Sequence, residues 1–357
     1  MGGNRQITEI ANHLSMSPLD IYMDILQRKR GPRYLQTKRY RVDFDTSDSD
    51  RELWAIHRDA VESLGEGNDG EGKRSLLDLK VELGGRMMRS CRLCERRCDV
   101  DRLAGERGYC GSLVPRVACE QLHYGEEDVL VPSYTIFFSG CNFKCVYCQN
   151  WDIATNPGLG RHYRPEEIAL KVEDQFLRGG RGVPSNDRVH RVRNVNWVGG
   201  EPTPAIPFIL EVLRSTEVPV PQVFNSNMYL TEEAMALLDG VVDVWLTDLK
   251  YGNDLCAIRL SDAPDYLSIV HRNHLLAMGS GEVLVRHLVL PNHLLCCTFP
   301  VLEWVAENLP GAAVNVMGQY RPTHRAFEHQ DIARPLRRAE YEAALAKAVE
   351  LDLCLVN

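Results

Sequence analysis

No run of about 18 consecutive apolar residues occurs in the sequence, which excludes an ordinary transmembrane helix. The first thirty residues are polar and mixed in charge, without an apolar stretch or a small-residue cleavage pattern, so no secretory signal is expected. A basic excess is missing as well: 41 Lys and Arg stand against 49 Asp and Glu, a formal net charge of -8. That balance disfavours non-specific nucleic-acid binding, and neither a membrane nor a nucleic acid is an expected partner. Short internal repeats and low-complexity segments are also lacking. What remains is a chain of 357 residues, 44% of them hydrophobic, as expected of a globular protein with two domains or one large barrel and an appendage.

Against these absences stand twelve cysteines. Seven fall in two tight groups, Cys91, Cys94, Cys98 and Cys110, then Cys141, Cys145 and Cys148. A chain of this length needs no disulfides to compensate for a small core. Without an export signal, clustered thiols read as metal ligands in a reducing compartment, here the cytoplasm. Cys119, Cys256, Cys296, Cys297 and Cys354 are scattered, and buried structural thiols are the expectation for them.

Three regions follow from the patterning. Residues 1–85 read as helical: Ser17-Pro18 opens a segment with Ile21, Ile25 and Leu26 at helical spacing, and a second pattern covers Ser49 to Ser63. Gly65 to Gly72 reads as a linker. Residues 86–125 hold the first cysteine group and few periodic runs, so a metal rather than a core is expected to organise them. Residues 126–357 alternate strand and helix. Strands are expected at Tyr134–Phe138, Val195–Val198, Gln222–Phe224, Val242–Leu246, Glu282–Leu290 and Ala313–Met317. Helices are expected at Pro165–Leu177, Pro204–Arg214, Thr231–Leu238, Asp262–Met278, Phe299–Asn308 and Arg338–Leu351. Six strand–helix units imply an α/β fold with a parallel sheet, since each helix must cross over one face.

The loop Gly140-Cys-Asn-Phe-Lys-Cys-Val-Tyr-Cys-Gln-Asn150 follows the first of these strands. A structural zinc site takes four protein ligands, and a cubane iron–sulfur cluster normally takes four cysteines. Three thiols in one loop would leave one iron open to a ligand; the alternative is a zinc knuckle with a distant fourth donor. Gly199-Gly200-Glu201-Pro202 follows the second strand. Its glycines permit close backbone approach, and Glu201 can accept hydrogen bonds from an ammonium group.

These motifs resemble the radical S-adenosylmethionine superfamily, in which three such cysteines hold a 4Fe-4S cluster. The resemblance implies a partial (β/α)6 TIM-like barrel with an N-terminal helical and cysteine-rich extension. It also implies that the cluster's open iron chelates S-adenosylmethionine, that Tyr147 lies near the adenine, and that Gly199, Gly200, Glu201 and Pro202 hold the methionyl amino group. Phe137–Asn142, Cys148-Gln149-Asn150, Gly199–Pro204, Asp248-Leu249-Lys250 and Asn315–Tyr320 are most similar to the branch related to pyruvate formate-lyase activating enzyme, among the glycyl-radical-enzyme activating enzymes. In that branch Asn225, Ser226, Asn227, Asp248 and Lys250 would line the cofactor and substrate side of the barrel. Asn225 stands where the family carries an aspartate, so a cation site there loses negative charge.

The implied activity is reductive cleavage of S-adenosylmethionine to a 5′-deoxyadenosyl radical that abstracts hydrogen from a substrate. Flavodoxin or ferredoxin would supply the electron, and a glycyl-radical enzyme or another protein would be the substrate. Modification of a small molecule or peptide is one alternative, and a non-catalytic iron–sulfur or zinc scaffold is another. Arg286 either faces the site or pairs with a buried carboxylate, and Met317 either faces it or is core. Gln319 and Tyr320 are candidates to contact the nucleoside or substrate, and His324 is a proton donor or a surface residue.

Cys91, Cys94, Cys98 and Cys110 form a complete ligand set, suited to zinc or to an auxiliary iron–sulfur cluster. Seven basic residues between Arg28 and Arg41, with Tyr34 and Tyr40 among them, face five acids between Asp43 and Glu52. A solvated or internally paired surface is expected there rather than an RNA patch.

Overall fold

The computed structural model describes residues 19–65, 69–178 and 192–356. The helix start expected at Ser17-Pro18 and the middle of the Gly65–Gly72 linker lie outside them. The chain runs α1 (Asp20–Leu26), α2 (Arg33–Arg39), β1 (Arg41–Val42), α3 (Asp50–Gly65), β2 (Arg74–Ser75), α4 (Leu76–Met87) and β3 (Val117–His123). It continues β4 (Ser133–Phe138), α5 (Trp151–Ala154), α6 (Pro165–Arg178), β5 (Asn194–Gly199), α7 (Ile206–Ser215), β6 (Gln222–Ser226), α8 (Glu232–Leu238) and β7 (Val244–Asp248). Then come α9 (Asp254–Ser261), α10 (Tyr266–Ser280), β8 (Glu282–Leu288), a π-helical turn (Leu294–Thr298), α11 (Phe299–Asn308), β9 (Ala313–Met317), α12 (Arg338–Glu350) and β10 (Cys354–Leu355).

Strands β4 to β9 lie side by side in chain order, all parallel, with β10 added parallel to β9 and β3 antiparallel to β4. This is the parallel sheet that the six strand–helix units imply, in the partial barrel that the resemblance implies. Its strands are buried on both faces, so they read as apolar runs rather than as alternation. Outward-facing Ile136, Trp197, Phe224, Trp245, Val285 and Val314 join the helices in one core, which also takes in Tyr34, Leu53, Leu79 and Leu83 from the N-terminal helices.

The inner face is a second cluster. Val223, Val244, Leu246, Leu284 and Ala313 close on Leu19 and Tyr22 of the α1 segment and on Leu130 from the β3–β4 connection. Helix α1 is seated there by Glu282 at the start of β8, whose two carboxylate oxygens accept from the N–H groups of Ile21 (2.8 Å) and Tyr22 (2.7 Å). A carboxylate on the first free N–H groups of a helix is the favourable polarity. Above this plug, Glu126 and Glu127 from the same connection reach inside the barrel. Glu127 accepts from Arg286 Nε (2.7 Å) and from Asn315 Nδ2 (2.8 Å), and Glu126 accepts from Asn196 Nδ2 (3.0 Å) and pairs with Arg286.

Some elements depart from expectation. The helix read over Asp262–Met278 starts later, at Tyr266, as α10, and a further helix, α9, ends just before it, the two separated where Asp262 and Asp265 take left-handed φ of 50° and 51° around Pro264. Proline disfavours helical backbone in the residue before it, which ends the first helix. The basic stretch is internally paired but with other partners: Lys38 meets Glu217 at 2.5 Å, while Asp50 serves Arg86 at 2.8 Å. Tyr34 is buried with its hydroxyl on the Val218 carbonyl, so it is core rather than a stacking platform.

Candidate active site

All the motifs meet at the carboxyl edge of the sheet, where strand ends point residues into one crevice. Register brings them together: Phe138 pairs with Gly199, Ser226 with Thr247, and Asp248 with Arg286. The loop after β4 carries the three thiols around a cavity of about 300 Å³, lined also by Phe143, Lys144, Ala154, Thr155, His324 and Arg325.

The two glycines of Gly199-Gly200 are needed by chain packing. A Cβ on Gly199 (φ +146°) would lie 2.2 Å from the Phe138 carbonyl oxygen, and one on Gly200 would lie 2.3 Å from that of Gly140. Their approach lets the Glu201 N–H donate to the Gly140 carbonyl at 3.0 Å, stitching the end of β5 to the cysteine loop. The Glu201 side chain is buried and accepts through both oxygens. Its Oε1 accepts from the hydroxyls of Thr203 and Ser226, both at 2.6 Å, and from the Thr203 N–H at 3.3 Å, and its Oε2 accepts from the Asn227 N–H at 3.0 Å. Burial raises its pKa, opposed by these four hydrogen bonds. Glu201 thus orders the end of β6, and Met228, the residue after Asn227, takes a left-handed φ of 60° that glycine would adopt more easily.

Asn227 Nδ2 donates to Asn142 Oδ1 at 2.7 Å, placing the Asn225-Ser226-Asn227 stretch directly behind Cys141. Asp248 Oδ2 accepts from Lys250 Nζ at 2.5 Å. Burial opposes the Lys250 charge, but the Asp248 carboxylate and Cys145 hold its pKa above the ordinary value. An aspartate already neutralised by a lysine, beside Asn225 instead of a second aspartate, is a poor start for a cation site.

The cysteine loop is fixed from behind by groups that no motif singles out. Ser261, the last residue of α9, donates its hydroxyl to Cys145 Sγ at 2.9 Å and shares a 2.5 Å hydrogen bond with Tyr251, which in turn meets the Tyr147 hydroxyl at 2.7 Å. Tyr147 is buried in this chain, with its ring edge-on to Tyr320 at 5.9 Å. Tyr320 itself donates to the Ile332 carbonyl at 2.6 Å, and Gln319 is exposed. His324 stacks on Trp151 at 5.5 Å and lines the cavity mouth. Arg286 lies within the barrel below this rim, bound by its two glutamates.

Burial raises the pKa of all three thiols: Cys141 well above its ordinary value with Glu201 adding to the effect, Cys145 with Lys250 and Ser261 opposing, and Cys148 to about 12. Buried thiols in that condition suit a positively charged inorganic core that displaces their protons. The donor set therefore fits an iron–sulfur cluster held by Cys141, Cys145 and Cys148.

The four-cysteine group adjoins this loop. Cys94 and Cys110 are raised in pKa chiefly by burial, with neighbouring thiols adding, and Asn142 lies against Cys94 as well as against Asn227. The Cys98 sulfur accepts from the Tyr109 N–H at 3.3 Å, and the Arg96 guanidinium covers the Tyr109 ring at 3.8 Å.

Residues 135–291 match the model of the radical SAM superfamily. An uncharacterized protein of Methanocaldococcus jannaschii is 46% identical over 316 residues, covering 85% of this chain and 89% of the relative. The chain belongs to the radical SAM superfamily. Radical SAM membership implies an enzyme, with a 4Fe-4S cluster and S-adenosylmethionine as its cofactors. Among solved structures it is similar to Streptococcus suis SuiB bound to its precursor peptide SuiA (TM-score 0.42, 12% identity, 60% of this chain and 46% of that one). Another SuiB structure gives a TM-score of 0.41 at 12% identity, covering 62% and 46%. The chain thus spans under half the length of the SuiB chains. No described helix of this radical SAM protein is long and apolar enough to cross a membrane.

Proposed function

We propose that this radical SAM enzyme is a hydrogen-abstracting catalyst of the activating-enzyme type, acting on a backbone glycine of a partner protein. The observation that carries the reading is the convergence of three thiols on one open cavity, with Glu201 beside Cys141, Lys250 beside Cys145 and Asn227 bonded to Asn142 behind the loop. A cluster held by Cys141, Cys145 and Cys148 would supply the electron for reductive cleavage of S-adenosylmethionine to methionine and a 5′-deoxyadenosyl radical.

The chain's own part is positioning and exclusion of water. Cys141, Cys145 and Cys148 hold the cluster, with the Ser261 hydroxyl and Lys250 beside Cys145. Gly199 to Pro202 and the ordered Asn225–Asn227 segment form the cofactor's methionyl side. Glu201 Oε1 accepts three hydrogen bonds, whereas Oε2 accepts one, from the Asn227 N–H, and so keeps acceptor capacity for an ammonium group. Flavodoxin or ferredoxin is the proposed electron donor, in a cytoplasmic, reducing setting. The four-cysteine group is assigned zinc or an auxiliary cluster in a structural or electron-relay role.

Anaerobic reconstitution tests the reading, with iron, zinc and sulfide counted beside 5′-deoxyadenosine. The expected result is cofactor cleavage by reduced protein, and a glycyl radical on a candidate partner when that partner is present. Cleavage that yields modified small molecule or peptide and no partner radical overturns the substrate assignment. Reduced, cluster-loaded protein that forms no 5′-deoxyadenosine overturns the catalytic reading and leaves a scaffold.

A further inference from the structure

We infer that Cys256, His293, Cys296 and Cys297 form a separate metal site, which takes one zinc-class divalent ion in a closed tetrahedral shell. These residues lie outside both cysteine groups described above, and their ligand atoms all fall within 4.8 Å of one another. His293 Nδ1 is 3.7 Å from the Cys256 sulfur, 3.4 Å from that of Cys296 and 3.6 Å from that of Cys297, and the last two sulfurs are 3.8 Å apart.

Those four separations match edges of a tetrahedron, and the two remaining sulfur pairs lie within the same 4.8 Å. With zinc–sulfur bonds of about 2.3 Å and zinc–nitrogen bonds of about 2.05 Å, tetrahedral angles place sulfurs about 3.8 Å apart and sulfur about 3.5 Å from nitrogen. Hydrogen bonding alone does not account for the cluster. A neutral imidazole nitrogen offers one lone pair, so at most one of the three thiols can donate to Nδ1 at a time. A central cation satisfies all four groups together.

The surroundings are those of a ligating histidine. His293 Nε2 faces Asp331 Oδ2 at 2.9 Å, and Asp331 is held by Arg259 at 2.5 Å. A carboxylate on the far nitrogen fixes the tautomer that leaves Nδ1 free to bind metal. With Asp331 counted, three thiolates and one divalent ion would leave a charge of −2, which Arg259 reduces to −1. Asn253 ties the two halves of the site: its Oδ1 accepts from the Cys256 N–H at 2.8 Å, and its Nδ2 donates to the Cys296 carbonyl at 2.7 Å. Gly252 permits the approach, since a Cβ there would lie 2.9 Å from the carbonyl oxygens of both Cys296 and Cys297. The π-helical turn Leu294–Thr298 sets Cys296 and Cys297 on the His293 side, an uncommon backbone feature that concentrates at functional sites.

Thiolate and imidazole donors suit zinc, and four protein ligands make the site structural rather than reactive. It joins α9 to the turn after β8. The far end of α9 presents the Ser261 hydroxyl to Cys145, and the carbonyls of Leu260 and Ser261 accept from the N–H groups of Val146 and Lys144. The ion therefore braces the strap that backs the radical loop.

The test is zinc and iron per chain by elemental analysis of the full-length protein, wild type against Cys256→Ser, Cys296→Ser and Cys110→Ala. Loss of one zinc per chain in the first two, with iron unchanged relative to wild type, is the expected result. Cobalt loading provides a spectrum: thiolate-to-cobalt absorption at this site should vanish in Cys296→Ser and persist in Cys110→Ala. Unchanged zinc and cobalt spectra in Cys256→Ser and Cys296→Ser overturn the inference. Should those variants fail to fold, alkylation of the native chain decides. Cys296 and Cys119 both reach the surface, yet Cys296 should react only after a zinc chelator is added, whereas Cys119 reacts at once. Equal labelling without chelator, or a disulfide between Cys296 and Cys297, overturns the assignment.

Discussion

Cys141, Cys145 and Cys148 share one loop at the end of β4, whereas Cys256 and His293 stand 37 positions apart on separate elements. The first set offers three thiols around an open cavity. The second offers three thiols and an imidazole packed within 4.8 Å. Donor number and spacing together separate a site that leaves a metal reactive from one that fastens the chain, although the same residue type builds both. The two are also connected, because α9 carries Cys256 near its start and Ser261 at its end.

The sharpest way to break this contrast is Cys145→Ala. We expect 5′-deoxyadenosine formation to fall to background while zinc at the second site stays, and simultaneous loss of both metals would show that the sites are not independent. Glu201→Ala comes next. It strips the acceptor from the Thr203 and Ser226 hydroxyls and the Asn227 amide, at a cost of about 3 kcal/mol in stability, readable by denaturant unfolding. Affinity for S-adenosylmethionine should weaken by about tenfold or more in a calorimetric titration, and unchanged affinity would remove Glu201 from the cofactor side. Asp331→Asn keeps the shape beside His293 but weakens the acceptor. Competition with a chelator should report about tenfold weaker zinc binding, with cofactor cleavage nearly unchanged. The smallest effect belongs to Ser261→Ala, which deletes a hydrogen bond to Cys145 sulfur. Its cluster should become harder to reduce, seen as a more negative midpoint in an electron-resonance redox titration.

Much of the barrel was legible because each central strand is a short apolar run. Val195–Val198 and Ala313–Met317 differ from β5 and β9 by no more than a residue at either end. The cysteine loop and Gly199–Pro202 were legible because contiguous spacing carries their geometry. Helix α4 is missing from the expected helices, although Ser75 and Asp78 form a capping box at its start. The break at Asp262–Asp265 was also signalled, by Pro264. The Cys256 and His293 site was not legible from spacing, since its halves meet only through the crossover from β7 to β8 and the turn beyond. The His293-x-x-Cys296-Cys297 run was its one local trace. The partners of Arg286 belong to a connection inserted into the lumen, and no periodicity announces such an insertion.

The plug of Leu19, Tyr22 and Leu130 makes the barrel a vessel corked at its base. Among the described residues that base is filled, and the thiols sit at the opposite rim, beside an open cavity. A macromolecular substrate seated there would shut in whatever lies beneath it, so loading must be sequential: the nucleoside sulfonium first, the larger molecule second. Spent fragments must then wait for that lid to lift. Steady-state kinetics should accordingly follow a compulsory order, with methionine and deoxyadenosine trapped until the macromolecule departs.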